Sequence, residues 1–203
     1  MEEEYFKGKL QGGFFVEAGA GGGDNAAGVT CLTLCVAGEE DSHTLHYELR
    51  HGWTGLLVEP HVTGISVKHR RATLAPTCLA TQTRPHYVHF DMNSTAVLDQ
   101  ENNIKAMSGI VLEKTNSSKT LQCVPLYTLL LAMDNPTVNW FILDIEGAEY
   151  QVLQTIPWHL VDIEMVSVET DLAGLVMPGS RQEIIDYMKS QGYQHAWVSL
   201  LLC

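Results

Sequence analysis

The chain has no apolar run approaching the roughly 20 residues that a membrane-spanning helix needs, and its opening MEEEYFKGKLQGG lacks both the basic flank and the apolar core of a signal peptide. The expectation from this alone is a soluble, cytoplasmic protein. Basic residues are also scarce, with 12 Lys and Arg against 24 Asp and Glu and a net charge of −12. A surface of that sign cannot neutralise phosphates, so nucleic acid and anionic membranes are poor partners. Tight cysteine pairs are missing too. Cys31, Cys35, Cys78, Cys123 and Cys203 are odd in number and contain no C-x-x-C, which argues against a zinc site and against a dense disulfide framework. Cys31 and Cys35 are spaced to share a helix face, but no histidine or second cysteine pair lies near them in sequence. No internal repeat, low-complexity tract or linker interrupts the 203 residues, so a single domain over 1–203 is expected.

What is present is a series of apolar, strand-like segments too far apart for hairpins: 13–20, 54–60, 72–80, 139–147 and 163–170. Several are almost continuously apolar, as when helices cover both faces of a parallel sheet. Helix candidates lie between them. DSHTLHYELRHG starts at a capping Asp41 or Ser42 and stops at Gly52; VPLYTLLLAM carries Pro125 where a first turn tolerates it; GAEYQVLQTI stops before Pro157. SRQEIIDYMKSQG has a capping box, Ser180 with Glu183, and a terminal Gly192. The alternation implies a doubly wound, mostly parallel α/β sheet. Residues 81–120 fit less well: YVHFDM reads as one more short strand, and NNIKAMSGIVLEKTNSSKT as a long surface segment.

In such sheets ligands bind beyond the carboxyl ends of the strands, which is where FFVEAGAGGG turns from strand to glycine loop. Glycines there permit close backbone approach to a ligand. Gly21, Gly23 and Ala26 also satisfy a dinucleotide G-x-G-x-x-A fingerprint, so the loop alone does not choose between cofactors. Two acids favour one of them. Glu17, just before the glycines, suits a ligand ammonium and repels a pyrophosphate. Glu59, ending TGLLVEP, is placed to accept ribose hydroxyls. A nucleoside bearing an amino acid, such as S-adenosylmethionine, fits both better than NAD. The plainer alternative is that both are solvated strand-end acids in an acid-rich chain.

The segments GFFVEAGAGGG, HTLHYELRHGWTGLLVEP, RRATLAPTCLA, CVPLYTLLLAMDNPTVNWFILDIEGAEYQVLQTIP and VDIEMVSVE resemble, in order, the FkbM-type methyltransferase family, and within it the animal Star-like branch. The resemblance implies a Rossmann-like class I methyltransferase fold that uses S-adenosylmethionine. Matched to the family's motifs, Glu17, Ala18, Gly19 and Gly21 would hold the methionine end, and Glu59 with Pro60 the ribose. It also implies a small-molecule or glycan acceptor. If the secretory setting of Star-like proteins applies, ER, Golgi or endosomal association follows, and Cys78 could pair with Cys123. The alternative is a non-catalytic Star-like module that binds protein cargo in trafficking.

Methyl transfer from a sulfonium is an in-line displacement, helped by holding the reacting atoms together in a dry pocket. A carboxylate can take the proton of a hydroxyl acceptor. Asp144, ending WFILD, is the first candidate for this and for cofactor contact, with Glu146 the second; Glu149 reads as a helix-start acid that complements the macrodipole. His86 and His89, three apart, would face opposite sides of a strand and could not easily share an ion, so no metal is expected. Trp53, Trp140, Trp158, Phe15 and Phe141 read as core.

The chain departs from the family in three places. NAAGVTCLTLCVAGEE, over about 25–40, is expected as an insertion; HVTGISVKHRRA is a poor helix former; and the end, YQHAWVSLLLC, lacks the family's last edge strand, leaving an exposed apolar edge at 195–202.

Overall fold

The computed structural model describes residues 11–19, 42–60, 70–98, 104–114, 116 and 118–196, with backbone alone over 91–98 and 104–109. Gly21, Gly23, Ala26, the expected insertion at 25–40 with Cys31 and Cys35, most of HVTGISVKHRRA, and most of the expected final strand lie outside the described residues.

Among the described residues the chain order is β1 (Phe14–Ala18), α1 (Leu45–His51), β2 (Thr54–Val58), β3 (Thr73–Ala75), β4 (Cys78–Leu79), β5 (His86–Leu98), β6 (Ile104–Val111), β7 (Ser118–Val124), α2 (Leu126–Leu131), β8 (Trp140–Leu143), α3 (Glu149–Thr155), β9 (Val166–Val168) and α4 (Arg181–Ser190). Five strands form one sheet in the order β3-β2-β1-β8-β9, every pairing parallel. The order reverses at β1, the switch point beside which doubly wound folds bind ligands.

The apolar runs of β1, β2 and β8 reflect burial on both faces. Phe15, Leu57, Trp140 and Ile142 point to one side and meet Tyr47 of α1 and Trp53. Val16, Leu56, Phe141 and Leu143 point to the other and meet Leu126 and Leu130 of α2, Val152 and Leu153 of α3, and Ile184 and Met188 of α4. Alternate residues on a strand face opposite sides, so a nearly continuous apolar run is what satisfies both layers. Trp53, Trp140, Phe15 and Phe141 are fully buried as expected. Trp158 is half-buried at the rim, where its Nε1 donates to Leu153 O at 3.2 Å.

The helix ends follow their local chemistry. Gly52 closes α1 with φ 65°, although the helix starts after Thr44 rather than at Asp41 or Ser42; Ser42 Oγ still accepts from the N–H of Leu45, at 3.2 Å. At α4, Ser180 Oγ accepts from Glu183 N–H and the Glu183 carboxylate accepts from Ser180 N–H at 2.8 Å, completing the capping box. Ser180→Ala should therefore cost about 1 kcal/mol, read as a lower urea midpoint at unchanged slope.

Two expectations need correction. Residues 72–80 are not one strand: Pro76, which has no N–H for a ladder, separates β3 from β4, and the two join different sheets. NNIKAMSGIVLEKTNSSKT, over 102–120, is not only a long surface segment. YVHFDM belongs to the 13-residue β5, and the polar stretch after it supplies β6 and β7. These form a second sheet, β4-β7-β5-β6, with β5 antiparallel to β6 and β7. β7 carries polar residues because Lys119, Thr120 and Gln122 are exposed; in β5, Tyr87 is 69% exposed whereas Phe90 is buried. Cys78 and Cys123 sit opposite each other in the β4–β7 ladder and form a disulfide. Among the described residues no helix is long and apolar enough to cross a membrane.

Candidate functional site

The site is built where β2, β1, β8 and β9 end side by side. Gly19 N–H donates to Val58 O at 3.1 Å, Asp144 N–H to Ala18 O at 3.0 Å, and Glu169 N–H to Leu143 O at 2.9 Å. The segments following four neighbouring strands are thereby held in one row. Gly19 has φ +91°, and a Cβ there would lie 1.6 Å from the carbonyl oxygen of Asp144. Only glycine lets the chain leave β1 this close to the end of β8.

Each strand end carries an acid, and each acid has a different environment. Glu59 follows β2 and is buried at 6% exposure, its N–H bonded to Ala75 O at 3.2 Å; Pro60 beside it is half-buried. Glu17, on β1, is 2% exposed. Its carboxylate accepts from His43 N–H and Ser42 Oγ, both at 3.0 Å, and from Thr44 Oγ1. Arg70 lies 3.7 Å from it. Thus Glu17 ties the start of α1 to the end of β1.

The LDIEGAE segment forms the turn between β8 and α3. Glu146 takes φ 64° and Gly147 φ 97°, the first unusual for a residue with a side chain. Glu149, 1% exposed, holds this turn by accepting from Ile145 N–H at 2.8 Å and from Gly147 N–H at 3.0 Å. Burial pushes the Glu149 carboxyl up to about 7 against the pull of those backbone bonds. Asp144 is half-buried at the mouth of the turn, as is Glu146.

A pocket opens beside Asp144, lined by His43, Trp140, Ser167 and Glu169 together with apolar β8 and β9 residues. Glu169 did not stand out in the sequence. Its signal was there: MVSVE ends an apolar strand in an acid just as LLVE and FILD do. Burial, and then the charges of Glu149 and Asp144, push its carboxyl up to about 8, with the Asp171 N–H opposing. Carboxylate oxygens of Asp144, Glu149 and Glu169 lie within 4.8 Å of one another. Such a trio repels its own second and third charges and is relieved by a proton or a cation.

Of the residues singled out from sequence, Ala18, Gly19 and Asp144 adjoin through backbone bonds, and Glu59 stands at the end of the neighbouring strand. His86 and His89 sit apart from this row on β5; His86 Nε2 lies 3.2 Å from Thr81 Oγ1.

The methyltransferase FkbM domain profile matches residues 22–195. The chain therefore belongs to the FkbM methyltransferase family, whose doubly wound fold the five-stranded sheet reproduces. No curated protein matches it, and no solved structure does.

Proposed function

We propose that this protein is an S-adenosylmethionine-dependent methyltransferase that acts on an oxygen of a small acceptor or glycan. The observation that carries the reading is the row of strand ends: a glycine in close contact with the neighbouring backbone at β1, a buried acid after β2, and a half-buried acid after β8. Gly19 lets the end of β1 lie against the Asp144 carbonyl with no room for a side chain, and Glu59 supplies acceptors where ribose hydroxyls would lie; together these strand ends form the proposed cofactor cradle. By the family resemblance, Gly21 and Pro60 would also contact the cofactor. When bound, the cofactor supplies an activated methyl group on a sulfonium.

The chain's residues do the rest. Ala18 and Gly19 present backbone next to Asp144. Glu17, its carboxylate taken up by the start of α1 and by Arg70, acts by positioning that cradle. Asp144 orients the acceptor hydroxyl, and Glu146, held at positive φ, shapes the entrance. Trp140 and Ile142 exclude water from one wall.

Isothermal titration with S-adenosylmethionine tests this reading. Binding is expected, and Glu59→Ala and Glu59→Gln should each weaken it by more than about tenfold, or about 1.4 kcal/mol, with the fold intact by circular dichroism. No binding at millimolar cofactor would remove the reading.

A second reading makes the chain a non-catalytic Star-like module binding protein cargo in the secretory pathway, and one observation bears on that setting. The Cys78–Cys123 disulfide suits an oxidising compartment such as the ER or Golgi lumen better than the cytosol. Alkylation of the protein taken directly from cells, followed by mass spectrometry, would decide the compartment: free thiols at both positions argue for the cytosol.

A further inference from the structure

Glu169 stands in the pocket with its two oxygens in unequal situations. Oε1 accepts from the N–H of Asp171, which fixes the carboxyl plane. Oε2 is buried and, among the described residues, has no hydrogen-bond partner. Such an oxygen destabilises the fold unless a proton or a donor satisfies it. It belongs to a residue lining the pocket beside Asp144, one strand further from β1 than the proposed cofactor cradle. An acceptor placed there would receive the methyl group from the β1 side and face Glu169 on the other.

We propose that Glu169 is a further catalytic residue of the methyl transfer, with Oε2 the atom that takes the acceptor's proton, and that the pocket selects an uncharged hydroxyl compound. This rests on the methyltransferase reading above. In the step, the acceptor O–H bond breaks and its proton passes to Oε2. The freed electron pair forms the oxygen–methyl bond, and the carbon–sulfur bond breaks with its pair left on sulfur.

The surroundings fit this role. A proton acceptor works best when its pKa lies near the working pH, and the Glu169 carboxyl is pushed up to about 8. The groups that face it are Asp144 at the end of β8, Glu149 on α3 and Asp171 on its own segment, all acidic. His43 is the other titratable side chain lining the pocket. The negative charge that the trio retains repels a phosphate or carboxylate acceptor, whereas Trp140, Ile142, Leu143 and Val168 offer apolar walls to a neutral body.

The sign of the pH dependence follows. A carboxyl raised above its ordinary 4.5 in the folded protein favours folding below that value, and this contribution is lost as pH rises through about 8. Above about 8 the base form prevails.

The experiment follows the carboxyl carbons by 13C NMR in the full chain, wild type and Glu169→Gln, from pH 5 to 10, with and without phenol as a neutral hydroxyl probe and benzoate as an anionic one. One carboxyl should titrate near 8, vanish in Glu169→Gln, and shift with phenol but not with benzoate. Over the same range the fall in melting temperature should shrink by roughly half in Glu169→Gln. Cofactor affinity, measured by calorimetry on both proteins, should agree within about twofold, or about 0.4 kcal/mol. Titration of Glu169 in the ordinary carboxylate range, or indifference to phenol, would overturn the assignment while cofactor binding upheld the methyltransferase reading. Absence of cofactor binding in the wild type would overturn both.

Discussion

Arg70→Ala should destabilise the protein by about 3–5 kcal/mol, among the largest effects expected of any single substitution. The Arg70 side chain is fully buried and lies between two buried acids, Glu48 and Glu17. Its Nε donates to Glu48 at 2.6 Å, and its terminal nitrogens donate to Ser42 Oγ and Thr44 Oγ1, each at 2.7 Å. The guanidinium carbon is 5.6 Å from the centre of the Phe15 ring. Glu48 also accepts from the N–H groups of Arg71 and Ala72, which anchors the chain as it enters β3. Removing the cation leaves two carboxylates out of water without their counter-charge, and that desolvation, more than the lost attraction, sets the size of the effect. Arg70→Lys should recover little of it, since an ammonium cannot reproduce the planar fork that reaches both acids and both hydroxyls. Urea denaturation at pH 7 measures the loss; a value under about 1 kcal/mol, typical of an exposed pair, would mean the network is far more hydrated than its burial implies. Because the network also holds the start of α1 against Glu17, affinity for the proposed cofactor should fall in the same variant.

Loss of the Cys78–Cys123 disulfide should cost up to about 4 kcal/mol. The two cysteines are 45 residues apart in sequence, and the bond closes a loop that contains all of β5 and β6. Opening that loop returns conformational freedom to the unfolded chain. Both cysteines are buried, Cys123 completely, so the double variant Cys78→Ala with Cys123→Ala also loses some packing. Comparing it with the wild type refolded under reductant separates the cross-link from the side chains. A midpoint shift equal in both would assign the stabilisation to the bond itself. No shift in either would mean the β5–β6 excursion is already restrained when unfolded.

The five-stranded sheet was legible because its chemistry is repeated along short stretches. β1, β2 and β8 are buried on both faces and so read as apolar runs, and the ends of α1 and α4 carry Gly52 and the Ser180–Glu183 box. The second sheet was not. β7 is partly exposed, so NNIKAMSGIVLEKTNSSKT reads as polar surface, and the antiparallel partners that define these strands lie tens of residues away. Pro76 is the local mark of the break between β3 and β4, set within an otherwise strand-like stretch, TLAPTCLA.

At the candidate site the same division holds. The sequence by itself determined the family, the parallel sheet and the acids that end its strands, because these depend on residue types at short spacing. Only the tertiary structure decided what each acid does. Glu17 is enclosed by the start of α1 and Arg70, Glu149 by its own turn, and Glu169 keeps one oxygen without a partner among the described residues, beside Asp144. The physical reason is that a carboxylate's charge, basicity and reach are set by the groups folded around it, and those arrive from β1, α1, β8, α3 and β9, whose proximity no local pattern encodes.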